Sequence, residues 1–197
     1  SGDEFGWIYA VRAGALKSYT ISADGEEQVT GFHLPGEIVG LDAISRGRHP
    51  CSAVALETTS LCAIPFDNLE HLAGQVPGLQ HQLLRIMSRE IFADHEMLHA
   101  VAKRTAEERL AIALLSFSAR FAQRGLSAER FRLAMSRGDL SNYLGLAPET
   151  MSRLFRRLQS QGLLESDGKE IALLDIPALQ ELAGQDQRTR CNRGTGA

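Results

Sequence analysis

The sequence has no apolar run near the roughly 20 residues that span a bilayer, and no secretory signal opens it. Cysteine is scarce. Cys51, Cys62 and Cys191 are the only three, and no two stand at C-x-x-C spacing. An odd, scattered set is a poor disulfide framework, which fits a reducing cytoplasm. Catalytic signatures are missing as well, with no G-x-S-x-G, P-loop, H-E-x-x-H or Rossmann fingerprint. Glu107 and Glu108 are adjacent, so on a helix they point to different faces and do not form an acid/base pair. These absences argue against an enzyme and against a membrane protein. An initiating Met is also absent, and SGDEFGWIYAV reads as the middle of a domain, so the natural N-terminus is expected to lie upstream.

The 197 residues suffice for one large or two small domains, and 44% hydrophobic with 23% charged content is ordinary for a globular protein. The net charge of −3 is unevenly spread. Lys103 to Lys169 holds 12 basic against 7 acidic residues, and the rest of the chain 9 against 17. A basic segment in an acidic chain points to a local polyanionic partner.

Up to about Phe66 the pattern is β. WIYAVRAGALKSYTI is rich in β-branched and aromatic residues, Asp24-Gly25 marks a hairpin with QVTGFHL returning, and Pro35-Gly36 marks another turn. SAVALETTSLCAIPF supplies two more short strands. Short strands with regular turns predict a small barrel or jelly roll. The period then changes. FDNLEHLAGQVPGL holds a short helix broken near Gly74 and Pro77, and a helix of roughly 37 Å follows from Leu79 to Lys103. Thr105 and Glu108 form a capping box for the next helix, which stops at Gly125.

The last third predicts two helices and a hairpin. Ser136 caps the first helix with Asp139, Gly145 ends it, Pro148 opens the second, and Gly162 follows that one. The hairpin LLESDGKEIALLD turns at Asp167-Gly168. Two helices joined by a short Gly-containing turn, then a hairpin, make a winged helix-turn-helix that binds double-stranded DNA. On the second helix Met151, Leu154, Phe155 and Leu158 form the core-facing stripe. Glu149, Ser152 and Arg153 lie off it, in the turns that meet base edges. Arg153 suits guanine O6 and N7, Glu149 a cytosine amine, and Ser152 a base or a thymine methyl. A carboxylate facing phosphates is otherwise unfavourable, so Glu149 beside Arg153 favours base reading. Arg156 and Arg157 are placed for phosphates.

The long helix carries a seam for association. Leu84, Ile91 and Leu98 are seven apart, with Met87, Asp94 and Val101 in the companion row. In a parallel homodimer Asp94 faces its own copy. Repulsion and desolvation there oppose the apolar rows by a few kcal/mol, leaving a dimer near its threshold that a signal of that size can decide.

Over nearly all of its length, to about Gly184, the sequence resembles the FNR/CRP family of bacterial transcription regulators, and within it the oxygen-sensing FNR/Anr branch. EEQVTGFHLPGEIVGLDAI, ALETTSLCAIPF, AEERLA, ARFAQRG, FRLAMSRGDLSNYLGL and ETMSR carry the resemblance. It implies an α+β protein with a β-roll sensor domain at 1–78, a dimerisation helix at 79–104 and a winged helix-turn-helix domain at 105–184. A disordered tail is expected at 185–197. The family's E-x-x-S-R pattern falls on Glu149, Ser152 and Arg153, and implies a TTGAT-type half-site read twice by a symmetric dimer. RNA polymerase is the further partner implied, met by the Asp24-Gly25-Glu26 turn and the loop at Arg124.

The oxygen-sensing branch binds a [4Fe-4S] cluster through three cysteines in an N-terminal C-x-x-C-x5-C segment and one in the β-roll. Cys62 matches the β-roll ligand, and Cys51 and Cys191 match none of the others. One thiolate is not a cluster site, so the cluster is expected in a longer protein and not on this sequence alone. Cyclic-AMP regulators of the superfamily hold the phosphate with an Arg-Ser pair, where this chain has HisProCysSer at 49–52. Cyclic nucleotide is therefore not expected. A haem or nitric-oxide sensor on the same fold is the alternative signal, although none of His33, His49, His71, His81, His95 and His99 stands out as a ligand.

Overall fold

A computed structural model describes residues 1–184. By packing, the chain divides between Glu96 and Met97 into two compact units. The boundary falls within one helix.

The first unit is built from six short strands. They are β1 (Trp7–Ala13), β2 (Leu16–Ile21), β3 (Glu27–His33), β4 (Ile38–Val39), β5 (Ser52–Ala55) and β6 (Ser60–Pro65). They form two antiparallel sheets, ordered β4-β1-β6 and β3-β2-β5. Ile8 pairs with Ile64 across β1 and β6, and Leu16 pairs with His33 and Ala55 on either side of β2. Ile8, Val11, Leu16, Val29 and Phe32 are buried, all but Leu16 between partly exposed neighbours, and in β3 the spacing of three from Val29 to Phe32 spans the register shift at Thr30. The stretch read as one β region, WIYAVRAGALKSYTI, is two strands in different sheets. The break is at Gly14, whose φ of 81° is left-handed, and a Cβ there would lie 2.5 Å from the Thr58 carbonyl. Thr59 closes the same corner, its hydroxyl donating to the Ala15 carbonyl and accepting from the Ala15 N–H.

Two helices follow, α1 (Phe66–Gln75) and α2 (Pro77–Lys103), separated at Val76 as Gly74 and Pro77 imply. The second unit continues with α3 (Ala106–Ala122), β7 (Arg130–Arg132), α4 (Arg137–Tyr143), α5 (Pro148–Ser160), β8 (Leu164–Asp167), β9 (Glu170–Leu173) and α6 (Ile176–Leu182). Both expected capping boxes are present, Thr105 with Glu108 and Ser136 with Asp139. The expected hairpin is one strand larger. β7 pairs with β9 to give the order β7-β9-β8, because Phe131 buries in the same core as Ile171 and Leu173. Leu110, Leu114, Leu140, Leu144, Met151, Leu158 and Leu179 complete that core.

Candidate nucleic-acid interface

The helix pair is set by local rules. α4 ends at Tyr143, and the Leu144 N–H still bonds the Leu140 carbonyl. Gly145 then takes φ 62°, which an L side chain adopts only with strain. The Leu146 N–H returns to the Ser141 carbonyl at 2.9 Å. Pro148 opens α5, where its missing N–H is no loss. From α3, Arg109 donates to the Leu144 carbonyl at 3.2 Å and the Arg104 carbonyl at 3.1 Å, so the end of α4 is held by a charged donor.

With Met151, Leu154, Phe155 and Leu158 buried, Glu149, Ser152, Arg153, Arg156 and Arg157 are all exposed. Ser152 donates its hydroxyl to the Pro148 carbonyl at 3.1 Å. Glu149, Arg153 and Arg156 have no hydrogen-bond or ion-pair partner among the described residues. Arg157 differs from them. Its Nε lies 3.2 Å from the carboxylate of Glu107 on α3, which is largely covered. The expected phosphate contacts are therefore one unengaged arginine and one already paired. Two further basic residues, Arg137 and Lys169, are drawn to the joint between α4 and the hairpin. Sequence reasoning did not single them out, since nothing local to either one signals a partner about 30 residues away.

On α2, Leu84, Ile91 and Leu98 are 58%, 55% and 68% exposed, an apolar row left uncovered among the described residues. Met87 is half-buried and Asp94 exposed. Desolvation raises the Asp94 carboxyl above its ordinary value, with His95 opposing and Asp42 adding to the rise. Val101 is half-buried and lies in the second unit beside Gly145, whose added Cβ would be 3.9 Å from it. The seam's last residue thus also packs against the turn of the helix pair.

Cys62 is exposed on β6, opposite Ala10 of β1. Cys51 is half-buried just before β5, in line with the other sheet. The Thr30 hydroxyl donates to its sulfur at 3.8 Å, and burial raises its thiol pKa. Cys191 lies outside the described residues, as does the tail expected at 185–197. Among the described residues no three of His, Cys, Asp and Glu converge as a metal would require. The described residues, with Cys51 and Cys62 as their two thiols, therefore do not fit a four-thiolate cluster. His33 bonds the Ser18 hydroxyl, His71 bonds Gln75, and His49 meets the Phe5 ring edge-on. The Asp24-Gly25-Glu26 turn is exposed and held by Ser22, which accepts from the Gly25 and Glu26 N–H groups. Arg124 donates to the Arg120 carbonyl in the loop after α3. No helix among the described residues is long and apolar enough to cross a membrane.

Comparison with known proteins agrees with this geometry. Residues 108–182 match the Crp-like helix-turn-helix domain and residues 1–75 the cyclic nucleotide-binding domain. The chain is 55% identical to the transcriptional activator protein anr of Pseudomonas aeruginosa, over 93% of this chain and 75% of that protein. It is 52% identical to the fumarate and nitrate reduction regulatory protein of Escherichia coli, over 93% of this chain and 74% of that one. The structure of FixK2 from Bradyrhizobium japonicum superposes with a TM-score of 0.80 at 31% identity, covering 92% of this chain and 89% of that one. By this identity and coverage, joined to the helix-turn-helix and its three-stranded wing, the chain belongs to the FNR/CRP family of DNA-binding transcription regulators.

Proposed function

We propose that the protein binds a TTGAT-type palindrome as a homodimer, with Glu149, Ser152 and Arg153 of each copy reading the bases. The observation that carries this is the state of the first two turns of α5. An acid and an arginine stand exposed there without partners among the described residues, on a helix whose opposite stripe is buried. Unpaired Glu149 and Arg153 are free to accept from cytosine and to fork onto guanine. Arg156 supplies phosphate binding, and Arg157 does so when it leaves Glu107. The dimer forms along α2, which joins a sensor region at 1–78 to a DNA-binding region at 105–184. Leu84, Met87, Ile91, Leu98 and Val101 drive association and Asp94 opposes it.

The signal in this reading is low oxygen, acting in the cytoplasm through an iron–sulfur cluster. Cys62 offers one thiolate, and at least three more have to come from outside the described residues. The DNA-binding part of the reading stands without the cluster. On DNA, the turn at Asp24, Gly25 and Glu26 and the loop at Arg124 face RNA polymerase. Fluorescence anisotropy tests the central statement. The chain is titrated with a duplex carrying two TTGAT half-sites one helical turn apart, and with a scrambled duplex of equal composition. Preference for the palindrome supports base reading by α5, and equal affinities overturn it.

A further inference from the structure

Three elements meet at the guanidinium of Arg137, the first residue of α4. Its central carbon lies 3.3 Å from the ring centroid of Phe155 on α5. Its Nη2 donates to the Ser166 hydroxyl on β8 and, at 3.4 Å, to the Gly168 carbonyl in the wing turn. No carboxylate among the described residues pairs with it. Burial pulls its pKa down to about 10. The same joint is closed from the other side. The Lys169 ammonium donates to the Ala134 carbonyl, and the Leu133 N–H donates to the Lys169 carbonyl at 2.9 Å. The wing turn is thereby fastened both to the segment that leads from β7 into α4 and to α4 itself.

We propose that Arg137 is a positioning residue for DNA recognition, one that locks the Asp167-Gly168 wing turn to the recognition helix α5 so that both meet the duplex as one preformed surface. The role needs arginine's shape. A planar fork can stack on Phe155 and donate sideways to the wing at once, which the point charge of lysine cannot do. Holding the wing before binding removes the ordering penalty that a loose wing would incur on DNA. This inference rests on DNA recognition through α5. It differs from a simple phosphate contact, where charge alone would suffice and lysine would serve.

The test compares the full chain with Arg137→Lys and Ser166→Ala. Ser166→Ala removes the anchor while leaving every charge in place. Hydrogen exchange is measured on the free proteins, and anisotropy is measured on the palindromic and scrambled duplexes over a range of salt. In Arg137→Lys, exchange at the Leu133 amide, which donates to the Lys169 carbonyl, and at the paired amides of β8 and β9 should rise about tenfold while α3 stays unchanged, the scale of losing one stacked, hydrogen-bonded cation. The palindrome-to-scrambled affinity ratio should fall by about the same factor, and the salt slope should hold because the charge persists. Ser166→Ala should move both readouts in the same direction. Wild-type exchange in both variants, or an unchanged ratio in Arg137→Lys, overturns the proposal. If the wild type itself does not distinguish the duplexes, the TTGAT reading fails separately, and wing exchange in the free chain alone decides the role of Arg137.

Discussion

Arg157 Nε lies 3.2 Å from the Glu107 carboxylate, whereas Arg156, its neighbour on α5, has no such partner among the described residues. Two arginines equivalent in sequence therefore start from different states. On the proposed reading, a phosphate would meet Arg156 directly and would have to compete with Glu107 for Arg157.

Arg156→Ala should weaken binding to palindromic and scrambled duplexes alike and reduce the salt slope by about 1. Arg157→Ala should do less, because the ion pair already offsets part of its charge. Glu107→Gln should release Arg157 and tighten non-specific binding. Anisotropy titrations from low to moderate salt check all three, and equal losses for Arg156→Ala and Arg157→Ala would show that the pair does not hold Arg157 back.

Base reading by α5 has a separate signature. Arg153→Ala and Glu149→Ala should each lose about 1–3 kcal/mol of discrimination at one base pair of the half-site, with binding to scrambled DNA less affected. Competition with duplexes singly changed at each position identifies the base each residue reads. A uniform loss across all sequences would assign them to the backbone instead.

Asp94 should gate association. Its carboxyl pKa is already raised in the single chain, and a facing copy raises it further, since the charged form is the one disfavoured. The dimer should therefore tighten as pH falls through that raised value and loosen as pH rises above it. Asp94→Ala should dimerise more tightly by a few kcal/mol at neutral pH, with a flatter pH dependence. Analytical ultracentrifugation gives both constants, and equal values for the two proteins would remove Asp94 from the interface.

The capping box of α3 makes a pH prediction of opposite sign. Glu108 accepts from the Thr105 N–H at 2.7 Å and from Arg104 at 3.0 Å, and these bonds, the Thr105 backbone first, hold its carboxyl below the usual range. Stability from a lowered carboxyl is present above the unfolded pKa and is lost as pH falls through the folded one. Glu108→Gln should melt lower than the wild type near neutrality, and the gap should close in acid. A gap that persists at low pH would place the effect in packing.

Much of the DNA-binding unit is legible because its signals are short-range. A cap and its partner stand three residues apart, as do Ser136 and Asp139. A turn glycine such as Gly145 acts on its own φ, and the stripe Met151, Leu154, Phe155 and Leu158 repeats within one helix. α6 carries a local signal too, the Asp175 cap before Pro177. The two hairpin pairings, β2 with β3 and β8 with β9, are legible from their Asp-Gly turns, whereas strand partners distant in sequence are not. β1 pairs with β6 some fifty residues away, and β7 joins the wing only because Phe131 finds room in its core.

The sequence by itself determined the helix ends, the turn glycines, the apolar rows of α2 and the outward set Glu149, Ser152 and Arg153. Each follows from the periodicity of one element or the conformational freedom of one residue. Only the tertiary structure decided which charges are already engaged. Glu107 takes up Arg157, and Arg137 is enclosed by Phe155, Ser166 and Gly168. A charge's availability depends on what lies within a few ångströms in space, and such neighbours come from elements that the chain visits tens of residues apart.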